Sequence, residues 1–477
     1  MPKYSNLQAI QSELKAGSTS CEKLVDYYLT QIEQQLSLNI YVETYAEEAR
    51  ARAKALDQKY QEDPMSVGPL FGMVVSIKDV LCYKDHKLSA GSKMLHNFTS
   101  SFSATAIERI LAADAIIIGR TNCDEFAMGS TNENSYYGPT RNAIDPTRVP
   151  GGSSGGSAVS VQADTCLAAL GSDTGGSVRQ PASFCGLVGM KPSYGRISRY
   201  GLLAYASSFD QIGILANSVA DTAILLEVMA GADEFDSTVS AEAVPAYSQH
   251  LTFSGRAKVA YIEEAMQHKG LDPEIKKQSF HFIEELRSAG HQVEAVDFEY
   301  LAYLVPSYYV LTMAEASSNL SRYDGVRYGH RTETATSLEE HYRKSRTEGF
   351  GEEVKRRIML GTFVLSVGYY DAYFKKAQQA RRLIQQRIIE VLEDYDFIIM
   401  PVTPSVAWKI GAKQDNPVEV YLSDIYTVLA NLTGMPAIAF PLGKNKNGIP
   451  FGIQLMSAKF TEKNLLSFAN TITQNLS

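Results

Sequence analysis

Two loops built almost wholly of small residues, Gly151-Gly152-Ser153-Ser154-Gly155-Gly156-Ser157 and Gly171-Ser172-Asp173-Thr174-Gly175-Gly176-Ser177, follow a Lys78-Asp79 pair that closes an apolar run. Glycine makes up 34 of 477 residues, close to the usual share of about 7%, so the clustering is local and asks for a special backbone geometry. A serine hydroxyl attacks a carbonyl only when a base of near-neutral pKa takes its proton. Lys78 can be that base if it is held neutral, which means moving it from about 10.4 to near 7, or about 4 kcal/mol in favour of the uncharged amine. Burial behind Val74, Val75 and Ile77, beside hydroxyls, acts in that direction. Asp79 opposes it, but consecutive residues of a strand face opposite ways, so Asp79 need not approach the amine. A lone lysine at a strand end reads as a solvated surface group; the two serine loops change that balance toward a serine hydrolase with a lysine base.

The first loop has other readings. A phosphate-binding loop ends in Gly-Lys-Ser/Thr, and no lysine stands here. A GxSxG nucleophile elbow is matched through Ser153 and through Ser154, but it also needs a later acid and histidine, and none of the eight histidines sits in such a motif. By composition alone the stretch is a flexible Gly/Ser linker. Against that stands the second loop, followed by Val178-Arg179-Gln180-Pro181. Its backbone amides at Thr174, Gly175, Gly176 and Ser177 can surround a developing oxyanion.

The elements that must position these groups alternate between helix and strand. Leu7, Ile10 and Leu14 share a helical face that Gly17 ends; Ser20 caps a second helix through Leu24, Tyr28, Ile32 and Leu36; a third runs from about Glu43 to Tyr60. Strands are expected at Met73–Ile77, Ala115–Ile118, Thr165–Leu170, Lys258–Ile262, Phe397–Val402, Ala437–Leu442 and Phe451–Met456, with a helix over Ala104–Ala113. From about Ala302 to Leu392 the pattern is helical, a layer over one edge or face of the sheet. The expected fold is α/β, a mixed central β-sheet with helices on both faces. No linker divides the chain, so one domain over 1–477 is expected, with N-terminal helices in 1–60, a core in 61–235, a largely helical layer in 236–395 and a final sheet-and-helix segment in 396–477.

Composition bounds the function classes. With 45% hydrophobic and 21% charged residues the chain has ample material for a core, and its net charge of −8 leaves no domain-wide basic surface for nucleic acid. Five widely spaced cysteines without a CxxC pair read as reduced thiols. Met1–Leu14 lacks an apolar leader core and no stretch approaches the roughly 20 apolar residues of a membrane span. A cytoplasmic location is expected.

Lys78, Gly151–Ala158 and Gly171–Ala182, in this order, resemble the amidase signature family, and the resemblance covers nearly the whole chain. It implies Ser177 as the acylated nucleophile, Ser153 as a bridging serine often preceded by a cis peptide, and Lys78 as the base. Arg179–Gly186, Lys191–Arg196, Ser207–Gly213, Tyr323–Gly329 and the run from Glu348 through Thr362 to Tyr373 look like the branch of A subunits of tRNA-dependent glutamyl/aspartyl amidotransferases. That branch implies glutamine hydrolysis, with ammonia passed to a partner that amidates misacylated Glu-tRNA(Gln) or Asp-tRNA(Asn) using ATP. It implies B and C subunits in a heterotrimer, ATP and magnesium on the partner, and no cofactor or metal in this chain. By the same resemblance Arg357 meets the α-carboxylate of glutamine, Asp424 its α-ammonium, and Tyr308 forms a polar wall; the residues alone read as a solvated helical face and ordinary packing. The alternative is a free-standing amidase for small amides, with Lys78, Ser153 and Ser177 but no need of Arg357 and Asp424.

Overall fold

The structure, a computed structural model, describes residues 3–412 and 417–475. Eleven strands form one sheet: β1 (Tyr41–Thr44), β2 (Val74–Lys78), β3 (Ile116–Thr121), β4 (Ala168–Ser172), β5 (Val188–Lys191), β6 (Ile212–Ala216), β7 (Lys258–Ile262), β8 (Gln292–Val296), β9 (Phe397–Pro401), β10 (Ala437–Lys444) and β11 (Pro450–Met456). Their order is β1-β3-β2-β4-β6-β5-β10-β11-β9-β7-β8. Two parallel trios, β3-β2-β4 and β9-β7-β8, flank an antiparallel centre. The sheet is mixed and helix-covered, as the alternation of patterns implies.

Strands β2, β3 and β4 are buried along their whole length, which is why they read as unbroken apolar runs. Four strands escaped the sequence reading. β1 is short and partly exposed, and it occupies the place where the third helix was expected to begin; that helix starts at Ala46 because Tyr41–Thr44 pairs with β3. β8 is an edge strand of mostly exposed residues, β5 carries a glycine in four residues, and β6 lies inside a motif rather than a turn-bounded run. Leu36 also departs from its expected place: the helix ends at Gln34 and Leu36 is 73% exposed in the turn beyond.

Over part of the sheet lies the helical layer, whose helices Leu301–Asn319, Glu352–Leu365 and Lys376–Asp394 share a second apolar core around Leu311, Val354, Ile384 and Leu432. A Cβ built on Gly361 would lie 1.9 Å from the Met313 carbonyl oxygen, so this glycine is what lets two helices touch backbone to backbone. All five cysteines are buried free thiols. No helix among the described residues is long and apolar enough to cross a membrane.

Candidate active site

Parallel strands place their C-terminal ends side by side, the usual location of chemistry in an open α/β sheet. Lys78 ends β2, and Ser172 ends its neighbour β4. Lys78 Nζ sits 2.7 Å from Ser153 Oγ, 2.9 Å from Ser172 Oγ and 3.0 Å from Ser154 Oγ, with all four side chains buried. Burial pulls the lysine pKa down to about 8, while more distant acidic groups, Cys123, Asp124 and Asp173 among them, hold it from falling further. Asp79 points away, accepting from the Ser89 and Gly91 amides at 2.9 Å each and from Arg120. Ser154, weighed from the sequence only as a GxSxG serine, and Ser172 are hydroxyl partners of Lys78 that the sequence reading did not foresee, although both lie in the two small-residue loops.

Ser153 follows a cis peptide after Gly152 and precedes the helix Gly155–Gln162, which packs on β4 and β2. Its neighbour Ser154 donates its backbone N–H to the Ser177 carbonyl at 3.1 Å, joining the two loops. Ser177 is the more open of the candidate groups at 8% exposure, against 0% for Ser153 and Lys78. Among the described residues its Oγ makes no hydrogen bond, so the loops are brought together without a direct Ser153–Ser177 hydroxyl contact. Such contacts often tighten only when substrate binds.

Asp173 shapes the Gly171–Ser177 loop from within. Its carboxylate accepts from the Gly176 N–H at 2.8 Å and the Val178 N–H at 3.2 Å, bracketing Ser177, and from Arg179 Nε and Nη2 at 3.1 Å each. Burial pushes its pKa up, but Arg179, then Lys191 and Asn431, override that and bring it down to about 2. This corrects the expectation for Gly176: its amide is spent on Asp173, and its part is the backbone turn at φ +126° against Thr427. The amides of Thr174, Gly175 and Ser177 have no acceptor among the described residues. Gly175 also lies directly under Tyr308, where a Cβ would come within 2.4 Å of the phenol oxygen.

Arg357 and Asp424 lie in the same region, both buried. Arg357 donates Nε to Glu353 at 2.8 Å and Nη1 to the Tyr205 hydroxyl at 2.9 Å, with its guanidinium 5.4–5.6 Å from the ring centres of Tyr205, Tyr309 and Tyr421. No protein acceptor is found for Nη2 among the described residues. Asp424 accepts from the Tyr309 hydroxyl at 2.8 Å and from Ser130 at 3.0 Å, and burial raises its pKa to about 6. Three residues on, the Thr427 hydroxyl donates to the Gly175 carbonyl at 2.6 Å, tying this segment to the Gly171–Ser177 loop. A cavity of about 440 Å³ opens here, lined by Thr131, Glu133, Glu353, Arg356, Arg357 and Tyr421 among others. Among the described residues no group of three or more His, Cys, Asp or Glu is placed to hold a metal ion.

The sequence is similar to known proteins over nearly its whole length. The profile of the Amidase family matches residues 23–466. The A subunit of glutamyl-tRNA(Gln) amidotransferase from Chlorobium phaeobacteroides is 48% identical over 474 residues, 99% of each chain, and that from Chlorobium luteolum is 49% identical over 98% of this chain and 96% of its own. Among solved structures, the A subunit of glutamyl-tRNA(Gln) amidotransferase from Thermotoga maritima superposes with a TM-score of 0.77 at 38% identity, covering 95% of this chain and 91% of its own. The peptide amidase of Stenotrophomonas maltophilia superposes with a TM-score of 0.83 at 27% identity, covering 99% and 97%. With the lysine, the two serine loops and the mixed sheet in the places described, the chain belongs to the amidase family.

Proposed function

We propose that this chain is the glutamine-hydrolysing subunit of a tRNA-dependent amidotransferase. The observation that carries the reading is the pairing of a buried cation, Arg357, with a buried anion, Asp424, beside the serine loops. An amino acid offers one charge of each sign at its α-carbon, and a simple amide offers neither. The names of the relatives support the same assignment.

In this reading neutral Lys78 takes the proton of Ser153 as Ser153 takes that of Ser177, whose Oγ forms a bond to the side-chain carboxamide carbon of glutamine. The oxyanion faces the amides of Thr174, Gly175 and Ser177. Collapse breaks the C–N bond, the proton returns through Ser153 to the leaving nitrogen, and ammonia departs from a γ-glutamyl ester on Ser177. Water then cleaves the ester to glutamate by the same relay. Arg357 meets the α-carboxylate through Nη2, Asp424 the α-ammonium, and Tyr308 walls the pocket over Gly175.

The ammonia goes to partner subunits, B and C of a heterotrimer, where ATP and magnesium serve amidation of Glu-tRNA(Gln). A net charge of −8 suits a chain that leaves most tRNA contacts to its partner. An exposed aromatic cluster of Phe363, Tyr369 and Tyr373, with an exposed Tyr370 packed on Phe374 nearby in the chain, supports a partner-covered surface. The test is ammonia release from glutamine, measured with and without partner subunits and charged tRNA. Equal turnover of glutamine and small uncharged amides, unaffected by partners, would favour a free-standing amidase instead.

A further inference from the structure

Tyr308 and Tyr309 are consecutive on the helix Leu301–Asn319, so their side chains leave it about 100° apart. Tyr308 turns to Gly175; Tyr309 turns to the two charged groups. The Tyr309 hydroxyl donates to Asp424 Oδ2 at 2.8 Å, and its ring centre lies 5.4 Å from the Arg357 guanidinium carbon. The ring stacks on Tyr421 at 4.2 Å, with the guanidinium carbon beside the pair at 5.4 and 5.5 Å from the two ring centres, and the Tyr421 hydroxyl donates to Glu353 Oε1, the oxygen that also accepts from Arg357 Nε. One side chain thus touches both ionic groups.

We propose that Tyr309 is a positioning residue that sets amino-acid specificity, its hydroxyl fixing Asp424 and its ring, stacked with Tyr421, flanking Arg357 so that the two charges stand at a set separation. This rests on the reading of the site as one for glutamine. Without the phenol hydroxyl, Asp424 keeps, among the described residues, Ser130 at 3.0 Å and Ser423 at 3.5 Å as side-chain donors, and loses the shortest of the three bonds. The groups facing Asp424 are Tyr308 and Tyr309 on one helix, Arg357 on another, and Ser130 and Ser423 on the loops. Of these, the Tyr309, Ser130 and Ser423 hydrogen bonds and the Arg357 charge all favour the carboxylate, against burial. Removing one of them moves the protonation of Asp424 to higher pH.

The test is Tyr309→Phe, which keeps the ring and deletes one oxygen, assayed in the assembled enzyme with glutamine and with a small uncharged amide from pH 5 to 9. A hydrogen bond to a charged group governs roughly a tenfold or larger effect, so KM for glutamine should rise about tenfold with kcat changed much less. The acidic limb of kcat/KM for glutamine should move to higher pH, and the uncharged amide should be affected far less than glutamine. Adding Tyr309→Phe to Asp424→Asn should cost little more than Asp424→Asn alone, because the hydroxyl acts through that carboxylate. Equal loss on both substrates, or an unmoved acidic limb, overturns the proposal even if wild type prefers glutamine. A wild-type enzyme with no preference for glutamine overturns the reading of the site, and this inference falls with it.

Discussion

Lys78, the base of the proposed relay, has its charge state set by what surrounds its amine: three hydroxyls within 3.0 Å and complete burial. With its pKa brought down to about 8, the neutral, proton-accepting form gains population as pH rises through that value. Asp424, at about 6, must be ionised to meet an ammonium and loses that form as pH falls through 6. The expected profile of kcat/KM for glutamine climbs in two steps, near 6 and near 8, and a pH series of initial rates reads both. Lys78→Ala should remove the upper step and cost several orders of magnitude in rate, with no histidine near to replace it. For Arg357→Ala or Asp424→Ala, truncating one partner of a buried charge pair costs about 2–5 kcal/mol, so kcat/KM for glutamine should fall by roughly two to three orders of magnitude or more. A side-by-side assay with an uncharged amide should show a much smaller loss. Lys78 and the serine loops were legible from residue type and small-residue spacing. Arg357 and Asp424 were legible only through family resemblance, because nothing local distinguishes an arginine in Lys355-Arg356-Arg357 from a solvated one. Tyr205, Tyr309, Tyr421 and Ser130 were not legible at all: the bond from Ser130 to Asp424 joins residues 294 apart in the chain, and no local pattern encodes it.

Helices and strands differ in how plainly the chain announces them. The long helices of the layer and the buried strands β2, β3 and β4 carry their burial pattern in the sequence. The short strand β1 and the polar edge strand β8 owe their state to pairing partners, so period and propensity had little to offer. The site depends on this element packing, as Gly361 illustrates. In a free helix Gly→Ala stabilises by up to about 1 kcal/mol. Here the added carbon would press on the Met313 carbonyl and push the helix of Arg357 away from the helix of Tyr309. Gly361→Ala should therefore destabilise by about 1–3 kcal/mol, as overpacking does, and raise KM for glutamine. Denaturant melts together with KM measurements check both effects; a stabilised variant of unchanged KM would show that the helices can part without harm.

At the scale of the whole molecule, one continuous sheet carries Lys78 and the serine loops, and the helical layer over it carries Arg357 and Tyr309. Ser177→Ala should abolish glutamine hydrolysis while the assembled enzyme still amidates Glu-tRNA when ammonium salts are supplied, since free ammonia bypasses the dead serine. Assaying the variant complex with glutamine and then with ammonium checks this, and loss of both activities would mark Ser177 as structural. The same sheet also has a consequence for synthesis on the ribosome. β5 lies in the middle, yet its outer neighbour is β10, so the Lys191–Ala437 pairing waits for nearly the whole chain. Arg179 likewise waits for Asn431 and Gln454 to complete the buried network behind Ser177. At about 5–20 residues per second, the nascent chain carries an open central strand edge for tens of seconds before its complement emerges. A nascent chain in that state presents the kind of unpaired edge that chaperones shield and that aggregation exploits, so the geometry that makes the finished active site rigid also makes its birth the most exposed moment of its life.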